Sequence, residues 1–209
     1  LFLQYFSIFS CLYQRFIARG EPGAAIHVTA ENVEAPKVYD VTRGEEDSDN
    51  MKAKGVGEAA LKQGQLAILE LAGGTGSRFG HKHPKIMFKA SQVMNKSLGR
   101  MRAEKIRALA EEYGKPIPWI IMTSDVTHEE TVQFFNANIQ EGKYFGQVPP
   151  EWVRFERQRV MPQVTNEGEF ILEKKNKIVL GGFGHGDARD WILRNPEILL
   201  WLRQFGVWY

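Results

Sequence analysis

Three glycines and two cations fall within one short stretch of this 209-residue chain. Gly73, Gly74 and Gly76 form a glycine-rich loop, and Arg78 and Lys85 come after it. Glycine lets the backbone turn tightly and bring its N–H groups close to an anion, while arginine and lysine bind phosphate oxygens. The combination predicts a binding site for a nucleoside triphosphate.

The segment before this loop predicts the element that positions it. Its apolar side chains have the types and length of a buried strand in a parallel sheet, and they are Leu66, Ile68, Leu69 and Leu71. Two common phosphate-binding loops do not match the residues after this strand. The Gly-Lys-Ser/Thr of a Walker A loop does not occur in the sequence. A dinucleotide-binding loop needs a third glycine where Phe79 stands, and Gly80 comes one position late.

Composition limits the classes of partner and compartment. The chain is 43% hydrophobic and 25% charged, and its net charge of +2 is too small to favour a nucleic acid or an anionic membrane as partner. The single cysteine, Cys11, excludes an internal disulfide and fits a reducing compartment. We therefore expect a cytoplasmic protein with no nucleic-acid or membrane partner. We also expect a monomer.

The first 18 residues are strongly apolar and aromatic. They lack the basic leader of a signal peptide, and Gln4, Gln14 and Arg15 interrupt an apolar run that is too short to span a bilayer. We expect an amphipathic helix, and a signal or anchor that has lost its leader is the alternative. The next segment contains glycine, proline and acidic residues typical of loops, and Met51 to Gly64 predicts a short helix.

A helix, a second strand and another helix are expected to follow the first glycine loop. Ser97 is a helix N-cap, Gly114 ends that helix, and its predicted buried stripe is Leu98, Met101, Ile106, Leu109 and Ala110. Residues 117–123 predict a second strand, after which Thr127 is expected to cap a helix. Asp125 and His128 just beyond that strand form an acid–base pair in one hypothesis, and capping and loop hydrogen bonds explain them in the other.

The last third of the chain predicts a third strand and a second glycine loop. Residues 152–156 form the strand and lead to Gln158, and residues 166–168 predict a hairpin turn. The second loop is Gly184-His185-Gly186-Asp187, in which Asp187 is expected to cap a mainly helical segment with a break at Pro196. Residues 206–209 predict the start of another strand.

These motifs together resemble those of a known enzyme family. Leu71 to Gly80, with Pro84-Lys85 after it, resembles the LAGGxGTRLG…PK signature of the sugar nucleotidyltransferases. PWIIMTS with Thr127-His128 after it, and Gln158 four residues before Pro162, are similar to stretches of the UDP-N-acetylglucosamine and UDP-sugar pyrophosphorylases. LEKKNK resembles the first of these groups, and GHGD resembles the second.

The resemblance implies a fold and a division of the chain. It implies an α/β domain whose mixed, mainly parallel sheet is flanked by helices on both faces, of the glycosyltransferase-A-like and Rossmann-like type. Residues 1–64 are expected to wrap this domain, and residues 65–209 to form the nucleotide-binding part of the catalytic domain. The resemblance covers only the nucleotide-binding half of the family's enzymes and not their sugar-binding half. The catalytic domain is therefore expected to be incomplete in this sequence.

The resemblance also implies an activity and its residues. The reaction is the transfer of a uridylyl group from UTP to a sugar 1-phosphate, giving a UDP-sugar and pyrophosphate, with N-acetylglucosamine 1-phosphate as the expected substrate. Arg78 and Lys85 would be catalytic, His185 would contact substrate, and the nucleotide would bind to Leu71, Ala72, Gly73, Gly74, Gly76, Gln158 and Gly184. Mg²⁺ is implied by the triphosphate, with no protein ligand identified. The alternative is a nucleotide-binding module without turnover, which a carboxylate inside the first strand, Glu70, would favour.

Overall fold

The structure, a computed structural model, describes residues 10, 13–14, 33–35, 48–91, 93–144, 147–190 and 192–208. The chain divides into two compact units. The first unit comprises residues up to Asn50 and Val160–Gly181, and the second comprises Met51–Arg159 and the residues from Gly182 onward. Every residue of the predicted nucleotide site belongs to the second unit.

A three-stranded parallel sheet forms the centre of the second unit. Its strands, in the spatial order β1-β2-β3, are β1 (Ile68–Leu71), β2 (Trp119–Thr123) and β3 (Val153–Arg157). Both pairs of neighbouring strands are parallel, with Trp119 of β2 opposite Ile68 and Val153. All five residues of β2 are buried, as expected for a strand that is paired on both edges and covered on both faces. The prediction of three parallel strands is confirmed.

Helices supply the layers on the two faces of this sheet. The α-helices whose bounds lie within the described residues are α1 (Ser48–Lys62), α2 (Leu98–Tyr113), α3 (His128–Ala137), α4 (Gly186–Asp190) and α5 (Pro196–Arg203). Alternate residues of β2 point to opposite faces: Trp119 and Ile121 pack in one cluster with Phe135 of α3 and buried residues of α2. Ile120 and Met122 pack in a second cluster with residues of α4 and α5. The predicted α/β fold with helices on both faces is therefore correct.

The ends of α2 are explained by local sequence. Ser97 Oγ accepts a hydrogen bond from Arg100 N–H at 3.1 Å, which caps the first turn. Gly114 ends the helix in the left-handed conformation at φ 64°. The predicted apolar stripe is wrong at Met101, which is 43% exposed. The buried residues of α2 are Gly99, Ala103, Ile106 and Ala110, a stripe that leaves Met101 on its outer side.

Short strands and turns make up residues 160–181 of the first unit. The strands are β4 (Val160–Pro162), β5 (Leu172–Lys174), β6 (Lys177–Ile178) and β7 (Leu180–Gly182), whose last residue belongs to the second unit. β4 pairs with β7, and β5 and β6 form an antiparallel hairpin. The predicted turn at residues 166–168 is confirmed by an antiparallel bridge between Val164 and Phe170.

Two expectations for the ends of elements are corrected by the structure. β1 begins at Ile68, two residues later than predicted, and Leu71 at its end is 43% exposed because it borders the loop. Residues 207–208 form no strand, although Val207 is buried and packs in the cluster with Ala67 and Leu69.

The expected N-terminal helix lies largely outside the described residues. Of its residues, the structure describes Ser10, Tyr13 and Gln14, and these three are helical. In the part of the chain that the structure describes, no helix is long and apolar enough to cross a membrane.

Candidate nucleotide-binding site

The carboxyl ends of the three parallel strands meet at one edge of the sheet, where α/β folds commonly bind ligands. The backbone ladder continues one residue beyond two of these strands. Ala72 N–H donates to Met122 O at 2.7 Å, and Gln158 N–H donates to Thr123 O at 2.8 Å. The sheet therefore fixes the start of the first glycine loop and the backbone of Gln158.

The first glycine loop is closed by its own backbone. Thr75 and Pro84 form an antiparallel bridge, and Gly76 N–H donates to His83 O at 3.0 Å. Lys85 N–H donates to Gly74 O, also at 3.0 Å. A Cβ on Gly76 would lie 2.6 Å from His81 Cβ, so no larger residue fits there without moving the loop. Residues 74–85 thus form a defined loop whose two ends are joined by hydrogen bonds.

Arg78 and Lys85 lie on two short 3-10 turns of this loop, Ser77–Phe79 and Lys85–Met87. Both side chains are exposed, and neither forms an ion pair with a described residue. Lys85 Nζ lies 5.3 Å from the ring centroid of Phe79, which brings the two turns together. Two cations on one closed loop are thus available to an anionic ligand.

Gln158 lies between the two glycine loops. A Cβ on Gly73 would be 3.5 Å from Gln158 Nε2, and a Cβ on Gly182 would be 2.3 Å from the same atom. Any side chain at Gly182 would therefore displace the amide. The structure brings together Gly73, Gln158 and Gly182, the last residue of β7 just before the second loop.

The second glycine loop has one exposed and one buried polar residue. Gly184 has φ 80°, a conformation that favours glycine, and His185 beside it is exposed. Asp187 lies within the first turn of α4 and is 0% exposed. Its carboxylate accepts hydrogen bonds from Arg159 N–H and Arg159 Nε, each at 2.6 Å. The prediction that Asp187 caps the helix is therefore wrong, because the side chain is engaged with Arg159.

Thr127, after β2, acts differently from expectation. It occupies the N-cap position of α3, but its hydroxyl makes no cap hydrogen bond. The hydroxyl oxygen instead accepts from Ser124 N–H at 3.0 Å and lies 3.4 Å from Ala72 O, to which the hydroxyl donates. Thr127 thus ties the end of β2 to the first glycine loop.

His128 is part of the support for β2 and β3. Its Nδ1 lies 2.8 Å from Thr123 Oγ1, and that hydroxyl donates to Glu156 O at 3.1 Å, so the neutral ring donates from Nδ1. Burial, with the positive charge of Arg157, lowers the pKa of His128. The structure therefore favours the structural explanation of His128 over an acid–base pair with Asp125.

Reasoning from sequence missed the pairing of Arg159 with Asp187. A local signal was present, because Arg159 stands between a predicted strand and the apolar residues Val160 and Met161. An arginine that is buried there requires a carboxylate partner. What the sequence does not contain is the identity of that carboxylate, 28 residues away.

Metal-binding side chains do not cluster in threes in the described part of the chain. Nowhere among the described residues do three His, Cys, Asp or Glu side chains form a group that could hold a metal ion.

Comparison with known proteins identifies the family. The family model described as UTP–glucose-1-phosphate uridylyltransferase matches residues 6–209. The chain belongs to this uridylyltransferase family. It is 32% identical over 203 residues to UDP-N-acetylglucosamine diphosphorylase 2 of Arabidopsis thaliana, covering 92% of this chain and 38% of that protein. It is 36% identical over 149 residues to UDP-N-acetylhexosamine pyrophosphorylase-like protein 1 of Mus musculus, covering 68% of this chain and 28% of that protein.

Solved structures agree with this assignment to the uridylyltransferase family. The uridine diphosphate N-acetylglucosamine pyrophosphorylase of Trypanosoma brucei has a TM-score of 0.68 and 25% identity to this chain. The match covers 93% of this chain and 40% of that structure. The chain thus spans well under half the length of the relatives it matches. The family resemblance inferred from the motifs is confirmed.

Proposed function

We propose that this uridylyltransferase-family chain binds UTP, and that the reaction it serves is uridylyl transfer to a sugar 1-phosphate. The observation that carries the proposal is a closed glycine loop bearing two exposed cations beside Gln158. The name of the Arabidopsis relative favours N-acetylglucosamine 1-phosphate as the sugar substrate, and the name of the mouse relative specifies only an N-acetylhexosamine.

The chemistry fits residues that bind and neutralise charge. In the proposed step an oxygen of the sugar phosphate attacks the α-phosphorus of UTP in line, forming a new P–O bond. The bond between the α-phosphorus and its bridging oxygen breaks, and pyrophosphate leaves with the electron pair. Phosphoryl-type transfer depends mainly on positioning and on neutralising charge, so no strong base is required.

Each site residue has a role in this proposal. Arg78 holds the leaving pyrophosphate, and Lys85 neutralises the charge that develops at the α-phosphate. The N–H groups of Gly73, Gly74 and Gly76 contact the phosphates, with Leu71 and Ala72 leading the backbone into the loop. Gln158 and the backbone near Gly184 select uracil, and His185 contacts substrate.

Magnesium enters this proposal with the nucleotide. Mg²⁺ retains several waters and is commonly held by substrate phosphates with one or two carboxylates. This mode needs no group of three protein ligands. The ion would neutralise part of the triphosphate charge when bound.

Nucleotide binding without turnover is the second candidate. Its support is that the chain spans 38% of the Arabidopsis relative and 28% of the mouse relative, so the residues that bind the sugar need not all lie here. Glu70 no longer supports it, because the carboxylate has a partner in Arg102 at 3.4 Å. Both candidates require the same uracil nucleotide site.

Calorimetric titration of the 209-residue chain with UTP and Mg²⁺ tests the site. We expect Arg78→Ala and Lys85→Ala each to weaken UTP binding by about tenfold to a hundredfold, since a hydrogen bond to a charged group contributes about 1.5–3 kcal/mol. Lys105→Ala is the matched control, because it removes the same charge from the exposed surface of α2.

A folded chain that binds UTP no better than CTP, or whose binding is equally weakened by Lys105→Ala, would contradict the proposed site. Uracil-selective binding that depends on Arg78 and Lys85 would support it. Adding N-acetylglucosamine 1-phosphate and assaying released pyrophosphate then separates turnover from binding alone.

A further inference from the structure

Arg159 and Asp187 form a buried ion pair directly beside Gln158. Arg159 is 8% exposed and Asp187 is 0% exposed, and Arg159 Nε lies 2.6 Å from Asp187 Oδ1. The second carboxylate oxygen accepts from the Arg159 backbone N–H, so side chain and main chain are held together. A buried ion pair seldom stabilises a fold more than apolar residues of similar size, because both charges lose their hydration. The position of the pair beside Gln158 therefore indicates that it holds neighbouring residues in place.

The pair joins the end of β3 to the second glycine loop. Phe183 N–H donates to Arg159 O at 2.9 Å, and the Phe183 ring centroid lies 4.8 Å from the guanidinium carbon. We name Arg159, Phe183 and Asp187 the clamp. The clamp holds residues 184–186 at both ends. The clamp also fixes Arg159, the residue directly after Gln158. The N–H of Gln158 itself donates to Thr123 O at 2.8 Å.

A glutamine reads uracil only if its amide is held in one orientation. The amide oxygen can accept from uracil N3–H while the amide N–H donates to a uracil carbonyl. Rotated by half a turn, the same amide can donate to cytosine N3 and accept from the cytosine amino group. A freely rotating Gln158 would therefore bind both bases, and selectivity requires its surroundings to prefer one orientation.

The surroundings of Gln158 are the two glycine segments. Its Nε2 lies against Gly73 and Gly182, at 3.5 and 2.3 Å from the positions where their Cβ atoms would be. Gly182 directly precedes Phe183 of the clamp, so displacement of the clamp would open the space around the amide.

We propose that the Arg159–Asp187 pair is a positioning pair that fixes the Gln158 amide between the glycine loops and so gives the site its preference for uracil over cytosine. This inference rests on the proposed function for its ligand, but the positioning of the amide can be observed without any nucleotide.

Two measurements on the full chain test the pair. The first is the side-chain ¹H–¹⁵N NMR signal of Gln158, identified by its disappearance in Gln158→Leu. We expect a restricted amide in the wild-type chain and a mobile one in Asp187→Asn. The second is the CTP dissociation constant divided by the UTP dissociation constant, which we expect to fall about tenfold in Asp187→Asn because UTP binding weakens while CTP binding changes less than about twofold.

Removing one charge leaves the other buried, so Asp187→Asn risks unfolding. The second variant replaces both charges, as Arg159→Met with Asp187→Leu, which retains an apolar interior without the clamp. Glu111→Gln is the control, because it breaks an exposed arginine–glutamate pair on α2, with Arg107, whose N···O distance is 2.8 Å. We expect the control to leave the amide signal and the nucleotide ratio unchanged.

Each outcome supports or overturns the positioning role. Loss of selectivity together with a mobile amide supports it. An unchanged amide in both clamp variants overturns it, as does an equal loss of UTP and CTP affinity, which indicates a merely structural pair. A wild-type chain that binds no nucleotide refutes the proposed function instead, and the amide signal alone then decides whether the clamp positions Gln158.

Discussion

Glu70 shows how a single ionisable residue is accommodated in a packed strand. Its side chain is 18% exposed, and Arg102 Nε of α2 lies 3.4 Å from its carboxylate. Burial raises the pKa of the Glu70 carboxyl above its ordinary value of 4.5, and the positive charge of Arg102 opposes that rise. The ionised form is therefore tolerated in β1, although it remains less favourable there than in water.

The raised pKa makes a signed prediction for stability. Between pH 4.5 and the higher folded-state pKa, the folded chain binds more protons at Glu70 than the unfolded chain. This group's contribution to the free energy of unfolding therefore falls as the pH rises through that window. We expect Glu70→Gln to match the wild type near pH 4 and to be more stable than it near pH 7.5, as measured by urea denaturation.

Glu111→Gln is the matched control for this comparison. The hydrogen bond from Arg107 lowers the pKa of Glu111, so its contribution to stability is present above the ordinary pKa and is lost as the pH falls. Near pH 7.5, Glu70→Gln should therefore raise the free energy of unfolding relative to the wild type, and Glu111→Gln should lower it. A Glu70→Gln variant less stable than the wild type there would show that attraction to Arg102 outweighs the cost of burial.

At the scale of secondary-structure elements, local caps are readable from sequence and long-range contacts are not. Ser97 caps the start of α2 and Gly114 caps its end, as predicted, because each acts on backbone groups within four residues. Thr127 has the right type for a cap, but its hydroxyl is close to Ala72 O, 55 residues away in sequence. A tertiary contact thus replaces the local hydrogen bond that the sequence predicts.

The glycine that ends α2 allows a matched test of this argument. Gly114 has φ 64°, and a Cβ there would meet no atom within 4 Å, so Gly114→Ala introduces backbone strain without a clash. We expect a loss of about 1–2 kcal/mol in the free energy of unfolding, measured by chemical denaturation. Gly57, inside α1, also has open space around its Cβ position.

Gly57→Ala should therefore cause no loss and raise helix stability by up to about 1 kcal/mol, since alanine is the better helix former. Equal losses in the two variants would mean that added volume, rather than left-handed backbone, determines the effect.

At the scale of the whole chain, the secondary-structure elements and loops are predictable from sequence, but the tertiary contacts between residues far apart in the sequence are not. The apolar run of β2 and the glycines after β1 have local signatures, so both were predictable. Gln158 carries no local signal, and its place between Gly73 and Gly182 depends on the parallel register of β2 and β3. The Arg159–Asp187 pair likewise depends on a return of the chain after 28 residues.

The same architecture predicts where the chain opens first. Every residue of β2 is buried and its backbone pairs with β1 and β3, whereas all three residues of β5 are exposed. Opening free energies in native proteins range from near zero in exposed segments to the global value in the core. Hydrogen exchange measured by mass spectrometry should therefore find the amides of Trp119–Thr123 the slowest to exchange and those of Leu172–Ile178 among the fastest.

This order of exchange bears on the candidate site as well as on the fold. The glycine loop and Gln158 take their positions from hydrogen bonds to Met122 and Thr123, so their geometry is only as persistent as β2. If β2 exchanged as fast as the β5–β6 hairpin, the site would lack the rigid support that base selection requires. Slow exchange of β2 with a more mobile Arg78–Lys85 segment would instead indicate a fixed base site and a phosphate loop free to adapt to its ligand.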